Sequence, residues 1–392
     1  MKKSFVLIAS VFLALFLGII LSVSYLRSNI QLKAVDTRIA SLYAFYAAEA
    51  GIENSISELR KNEKWRTGFS NIALVWSDGT TTETVGHYTS NVADGPVSGS
   101  WPTVWIRSQG MYTNPRDPSQ NISRVILAQV AIENPASFFI STLSDITARS
   151  GANFTGDILA RDVYFKPTTG NIKVTGDVNY IRNIDGESDP KVTITGDVNN
   201  VPPITFSSVD KQYYSDVASA GGRKIDGNFS YSGDIDRSDL SSSNGVIYVD
   251  GDVHISGNTT ESMHIVASGN IYIEGDITCN SGVQLGLSAA GDVIIPDSAP
   301  NNLTINAFIR ADGGVLEAKG NPGDKDTLNF TGAIAVRGKD SASSAVNLNA
   351  YSSRVYNYDD TLSTNLTIPY LTYIANIIDW KEIKPTDPFP PS

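Results

Sequence analysis

The tripeptide Gly-Asp-Ile/Val begins at Gly156, Gly176, Gly196, Gly233, Gly251, Gly275 and Gly291, with near relatives at Gly170-Asn171-Ile172 and Gly269-Asn270-Ile271. Nothing else in the chain restricts its fold as strongly. The steps 156→176 and 176→196 are 20 residues each, and 196→233 is 37, about two periods. The steps 233→251 and 251→269 are 18 each, and 269→291 is 22. Each tripeptide borders short alternating runs such as Ile172/Val174, Val192/Ile194, Ile247/Val249, Val253/Ile255, Ile271/Ile273 and Val293/Ile295. Residues two apart on a strand share a face. Stacked coils therefore put Ile and Val inside and Thr, Lys, Tyr and Asn outside. A period of ~20 residues with Gly/Asp/Asn corners predicts a single-stranded parallel β-helix of about ten coils over residues 136–345.

The corner pairs are Gly156-Asp157, Gly176-Asp177, Gly196-Asp197, Gly233-Asp234, Gly251-Asp252, Gly275-Asp276 and Gly291-Asp292. Their expected role is turn chemistry: Gly takes φ > 0 and Asp bonds the local backbone. Calcium binding in glycine-aspartate rolls needs a tight nonapeptide repeat, which this chain lacks.

Composition narrows function. At 392 residues, two or three units are expected. The net charge of −11 is uneven. Residues 1–66 hold nine Lys/Arg and five Asp/Glu, a net of +4, which leaves −15 for the rest. An acidic body repels phosphate backbones, so no nucleic-acid partner is expected. A single Cys excludes a disulfide scaffold and a Cys-based zinc site. With three His (His87, His254, His264), little material remains for a metal centre or a His-based triad. No catalytic residue, cofactor or metal is expected, and the chain reads as a non-enzyme.

No charge interrupts Ser4–Leu26, a run of 23 residues rich in Leu, Val, Ile and Phe. A helix of that length spans about 35 Å, enough to cross a bilayer. The rival reading is a secretory signal peptide, for which Ser22-Val23-Ser24 is a weak cleavage candidate. Lys2 and Lys3 precede the span; Arg27, Lys33 and Arg38 follow it. That count slightly favours a cytoplasmic C-terminal side. Beyond the span, Val35, Ile39, Leu42 and Tyr46, then Ile52, Ile56 and Leu59, recur at helical spacing. No Pro falls in residues 1–66, so one helix of about 60 residues, on the order of 90 Å, is predicted.

The segment Leu42-Tyr43-Ala44-Phe45-Tyr46-Ala47-Ala48-Glu49-Ala50-Gly51-Ile52-Glu53 resembles the N-terminal helix of PilX-type minor pilins. A Lys-Lys leader followed by apolar residues is similar to a type IV prepilin. That resemblance would put Ser4 before a processed bond and Phe5 at the mature N-terminus. Two departures are plain: Ser4 stands where pilins have Gly, and Ala9 where major pilins have Glu. The resemblance implies a minor pilin or pseudopilin whose helix packs on other pilin-like subunits. Small residues of Tyr46, Ala47, Ala48, Glu49, Ala50 and Gly51 would let neighbouring backbones approach closely. Glu49 would either bond a neighbouring chain or sit exposed.

In residues 67–135, turns at Gly79, Gly95-Pro96 and Gly99 separate strand-like runs. Residues 103–108 and 123–132 predict an antiparallel hairpin around Asn114-Pro115-Arg116-Asp117-Pro118. Gly245–Ile255, Ile265–Ile273, Ala290–Pro296, Arg354–Asp359 and Ile378–Glu382 resemble uncharacterised β-helical domains attached to PilX-type N-termini. The fold class is therefore α+β. A long membrane helix (1–66) and small antiparallel head (67–135) precede an all-β solenoid (136–345) and a cap with a Pro-rich tail (346–392).

Polysaccharide lyases and hydrolases share the parallel β-helix. Their chemistry needs paired carboxylates at fixed separation. Asp359-Asp360 is the obvious pair, but neighbours on a strand point to opposite faces. His254 and His264 read as ordinary strand histidines, the alternative being a stack on one face of neighbouring coils. Tyr164, Tyr248 and Tyr272 read first as core or turn packing, the alternative being an external stripe able to bind a surface glycan, and Cys279 is expected as a structural thiol. The reading reached is a single-pass bacterial membrane protein anchored by residues 4–26 with an extracytoplasmic body, acting in pilus assembly or adhesion. The alternatives are a polysaccharide-binding or -degrading β-helix and a bactofilin-like scaffold on the cytoplasmic face.

Overall fold

The computed structural model describes residues 2–77, 79–96, 102–113, 121–201, 208–338 and 345–391, with side chains from residue 13 except Ala14 and Trp76. Gly99 and the loop 114–118 lie outside them, as do the side chains of Ser4 and Phe5. Two compact units emerge: residues 1–132 with 377–392, and residues 133–376.

The first unit is built on α1 (Lys2–Lys61), one uninterrupted helix of 60 residues. Its uncharged portion exposes Leu13, Phe16, Ile19 and Val23, and from Leu15 it is long and apolar enough to cross a membrane. From Ala40 onward one face is buried: Ala44, Ala47, Ala48, Ile52, Ile56 and Leu59. That face rests on an antiparallel sheet of β1 (Phe69–Ser77), β2 (Thr82–Asp94), β3 (Thr103–Thr113) and β4 (Asn121–Glu133). The C-terminal strand Ile374–Ile383 joins the sheet beside β4. The predicted hairpin forms with Thr103 opposite Ala131 and Thr113 opposite Asn121. The apolar stripe of the sequence divides between two faces. Ile52, Ile56 and Leu59 are buried in the head, whereas Val35, Ile39, Leu42 and Tyr46 are exposed.

The second unit is a three-faced parallel β-solenoid of about nine turns. The chain passes repeatedly over faces A, B and C in that order. Its coils, however, do not stack in sequence order. The chain begins in the middle at Ile140–Thr142, on face A. It winds outward through Ile158–Lys166 and Val178–Asp185 to Val198–Asn200 at one end. There it leaves the ladder. It resumes at the opposite end with Arg223–Asp226 and winds back through Val246–Asp250, Met263–Ala267, Leu285–Ala289 and Asn302–Ala311 to Lys325–Val336. The two halves then meet. On face A, Ile334 pairs with Ile140; on face C, Tyr356 pairs with Phe154.

This arrangement corrects the reading of the 196→233 step as two periods. The step is the crossover between the two ends, and part of it is α2 (Lys211–Ser219), capped where the Asp210 carboxylate accepts from the Tyr213 amide at 3.0 Å. The solenoid also runs past residue 345, to Tyr358 on face C. Residues 346–392 thus serve two units, with Ile374–Ile383 pairing in the head sheet. Arg107 there donates to the Pro385 carbonyl, which ties the Pro-rich segment down.

The close approach of α1 to its sheet depends on glycine. A Cβ on Gly110 would overlap the Ala44 carbonyl and the Ala48 amide. Gly110→Val is expected to destabilise the first unit by about 1–3 kcal/mol. Denaturant unfolding of the full chain, followed by Trp fluorescence, would measure it.

Candidate functional surface

The predicted helix motif meets its neighbour within the chain. Ala47, Ala48 and Gly51 are buried against the head sheet, where a Cβ on Gly51 would overlap the Ser108 hydroxyl. Ala50 and Glu49 are half-buried, and Tyr46 is exposed. The small residues therefore serve intramolecular packing on Gly86 and Gly110. Val35, Ile39 and Leu42, N-terminal to this packed stretch, are exposed. Beside them lies a groove of about 590 Å³ flanked by the Arg124–Glu382 ion pair at 2.7 Å.

The Gly-Asp pairs occupy three different corners. Gly156, Gly176 and Gly196 turn the chain from face C to face A. Gly251 and Gly291 turn it from A to B, and Gly233 and Gly275 from B to C. The expected chemistry needs correction on both residues. Gly156, Gly176 and Gly233 do have φ of 125°, 147° and 147°. Gly251 and Gly291 do not; they are required because a Cβ would run into Gly227 and Gly269 of the coil below. The Asp side chain bonds the adjacent coil. Asp157 Oδ1 accepts from the Asp177 amide at 2.8 Å, and Asp177 Oδ1 from Asp197 at 2.8 Å. In the second half the ladder runs from Asn228 through Asp252 and Asn270 to Asp292 and Val315, at 2.7–3.1 Å. Asn substitutes freely for Asp here, so the role is hydrogen-bond acceptance and needs no charge. Gly227-Asn228 was the missed member of this series; its Gly-Asn pair was the available signal. Among the described residues no group of three or more His, Cys, Asp or Glu is placed to hold a metal ion.

Each face carries different chemistry outward. Face A is covered. Tyr214 and Ala218 of α2 pack on Val246, Tyr248 and Val266. Residues 368–374 cover it further, with Ile368, Leu371 and Ile374 buried. Beneath them, His264 donates from Nδ1 to the Pro369 carbonyl at 3.1 Å and accepts at Nε2 from the Ser288 hydroxyl at 2.8 Å. This Ser–His pair has no access for a substrate, because both residues are buried. Burial pushes the His264 pKa down to about 3. Arg310 and Asp312 bond each other under the same cover, and Arg310 reaches Thr372 at 3.2 Å. The two histidines therefore do not share a face. His254 lies on face B, stacked on Tyr272 with centroids 4.5 Å apart and bonded to Glu274 at 2.7 Å. The tyrosine stripe also breaks up, since Tyr248 is buried under α2 while Tyr164 and Tyr272 remain on face B.

Face B presents a mixed rank: Ser230, His254, Tyr272, Ile294, Glu317 and Asn347 in register. Face C is open, and Thr and Asn dominate it. One outward rank runs Asn258, Thr278, Asn306, Thr331, Asn357, Thr155, Thr175 and Thr195, continuous across the junction of the two halves. Parallel to it run Thr304, Asn329, Val355, Asn153, Lys173 and Thr193. None of these side chains is aromatic, and all are at least partly exposed.

Asp359 Oδ1 accepts from the Thr361 amide and hydroxyl, which is turn chemistry. Asp145 and Asp162 are register partners. Burial works to raise the Asp162 carboxyl but is outweighed by its Arg182 bonds and the charges of Arg182 and Arg161, so its pKa lies below the usual range. A general acid needs the opposite shift. Cys279 is half-buried, with its thiol pushed up by burial.

No protein-family model matches the chain. No curated protein matches it in sequence. Among solved structures, the competence-associated pilin ComZ from Thermus thermophilus is similar over 88% of this chain and 97% of its own, at 11% identity and a TM-score of 0.30. An ice-binding protein from the Antarctic ascomycete Antarctomyces psychrotrophicus is similar over 58% and 97%, at 14% identity and TM-score 0.32. An ice binding protein from an Antarctic biological consortium is similar over 57% and 89%, at 13% identity and TM-score 0.23. At such TM-scores these likenesses carry no argument about this chain, whose fold rests on its own ladders.

Two outcomes follow from the corner and the buried histidine. Asp252→Ala is expected to cost about 1–2 kcal/mol, by orphaning the Asn270 amide, and Asp252→Asn a few tenths at most. Equilibrium denaturation of the two variants checks this. His264 stays neutral when folded, whereas an unfolded His titrates near ~6.5. Its contribution is complete above that pH and is lost as pH falls towards 3. Melting temperature should fall over that window, and His264→Gln should flatten the slope.

Proposed function

We propose that the protein is a membrane-anchored, pilin-like component that displays a non-catalytic β-solenoid outside the cytoplasm, in a pilus-like assembly or as an adhesin. The observation that carries this reading is α1. One unbroken helix supplies both an exposed apolar span and, from Ala40, the buried spine of a small antiparallel head. A free-standing anchor would not need its helix continued into a folded head. The exposed Val35, Ile39 and Leu42 are the surface offered to other pilin-like helices. PilX-type membership and prepilin processing between Ser4 and Phe5 belong to this proposal.

The adhesive surface in this reading is face C. One rank of short uncharged Thr and Asn repeats at about 4.8 Å along the axis, and β-branched Thr is stiff at χ1. Such a surface suits a regular lattice of neutral hydroxyl or water groups better than a single sugar chain, for which aromatic platforms are absent. An ice surface and a crystalline polysaccharide are the counterparts to test.

Protease added to intact spheroplasts should digest the solenoid; full protection would contradict the reading and favour the cytoplasmic scaffold. In nanodiscs, the full chain should adsorb to one of the two lattices. Thr331→Lys with Thr155→Lys should weaken adsorption at least about tenfold, while Ser256→Lys on face B leaves it unchanged.

A further inference from the structure

The two halves of the solenoid are joined on faces A and C. On face B, Asp145–Arg149 pairs with residues 162–166 and Val346–Asn347 with residues 316–317, but among the described residues no ladder joins the two strands. Between them the interior opens into a cleft of about 690 Å³. Its floor is core side chain: Ile140, Ile146, Phe154, Leu348 and Tyr356. Small residues make the space, Ala148 and Ala152 standing where other coils carry larger ones.

Arg354 breaks the pattern here. The inward column on face C runs Leu303, Leu328, Arg354, then Ala152, Ile172 and Val192. Arg354 is the one charged residue in that run, and a charge at a core register calls for a partner. The acceptors it meets are neutral: Asn349 Oδ1 at 2.7 Å and the Leu348 carbonyl at 3.5 Å. Arg149 also lines the cleft and is exposed. Neither arginine forms an ion pair with a described carboxylate, and Glu317, the one acidic residue among the described residues lining the cleft, is held by Lys319. The cleft is thus a cationic mouth on an apolar floor in an otherwise acidic body. Its volume falls within the ~300–1,000 Å³ usual for small-ligand sites, and a guanidinium fork suits a carboxylate.

We propose that the seam cleft binds an amphipathic carboxylate of medium chain length, its head taken by Arg354 and Arg149 and its body lying on the Ile146, Phe154 and Tyr356 floor. The site is independent of the outward ranks of face C and of membrane orientation.

The test is calorimetric titration of decanoate into the full chain in nanodiscs, with empty nanodiscs subtracted. Saturable binding at one site per chain is expected. Arg354→Gln should weaken it at least about tenfold, as loss of a charge-assisted bond does, and exposed Arg149→Gln should weaken it less. Ala152→Phe, which fills the cleft, should abolish it, and circular dichroism confirms that each variant is folded. Decanol should bind more weakly than decanoate, and acetate should not saturate. No saturable binding above empty nanodiscs would overturn the proposal. So would equal binding by the folded Arg354→Gln and Arg149→Gln variants, or acetate binding as tightly as decanoate.

Discussion

Parallel strands stacked at about 4.8 Å leave no room for a side chain where the backbone of one coil passes over the turn of the next. The solenoid meets this constraint with glycine, and satisfies the adjoining amide with an Asp or Asn side-chain oxygen from the neighbouring coil. Gly251 over Gly227 and Gly291 over Gly269 are the steric half of the device. Asn228, Asp252, Asn270 and Asp292 are the polar half. Both halves act between coils, so each corner fixes the register of its neighbour and with it the regular ranks of face C.

The same constraint explains how a chain can enter its own solenoid midway. A parallel ladder needs a neighbour of the right geometry, and sequence continuity is immaterial to it. Ile140–Thr142 accepts Lys325–Val336 on one side and Ile158–Lys166 on the other, although these lie far apart in the chain. Both halves advance along the axis in the same sense, so the strands stay parallel through the junction. The junction is closed on faces A and C and open on face B, and beside the opening Arg354, on face C, replaces the apolar residue of a regular coil. The crossover helix α2 is used twice: it returns the chain to the far end and covers the apolar outer side of face A through Tyr214 and Ala218.

Much of this was legible in the sequence because it is periodic. The uncharged span, the helix without proline, the 103–132 hairpin and the solenoid follow from alternation and spacing. The coil order did not, because period reports the length of a coil and not its neighbour. The 37-residue step was the sole hint, and it is equally compatible with two coils. Tyr248 and His264 could not be told from exposed strand residues, since what buries them is a helix and a C-terminal segment remote in sequence. The Ala47-Ala48-Gly51 surface was legible as a close-packing face, but its partner, Gly110 on β3, lies about sixty residues further on. The inward register of Arg354 follows from its pairing with Leu328 of the preceding coil, which the sequence period alone did not show.

The central structural claim is that the solenoid joins at residues 140–155 and 334–357. Disulfide formation in the full chain tests it most directly, with Cys279→Ser as background. The pair Thr155→Cys with Asn357→Cys, register partners on open face C, should cross-link rapidly in the native protein. Asn199→Cys with Lys224→Cys, which a solenoid wound in sequence order would bring together, should not. Cross-linking of the second pair without the first would contradict the account.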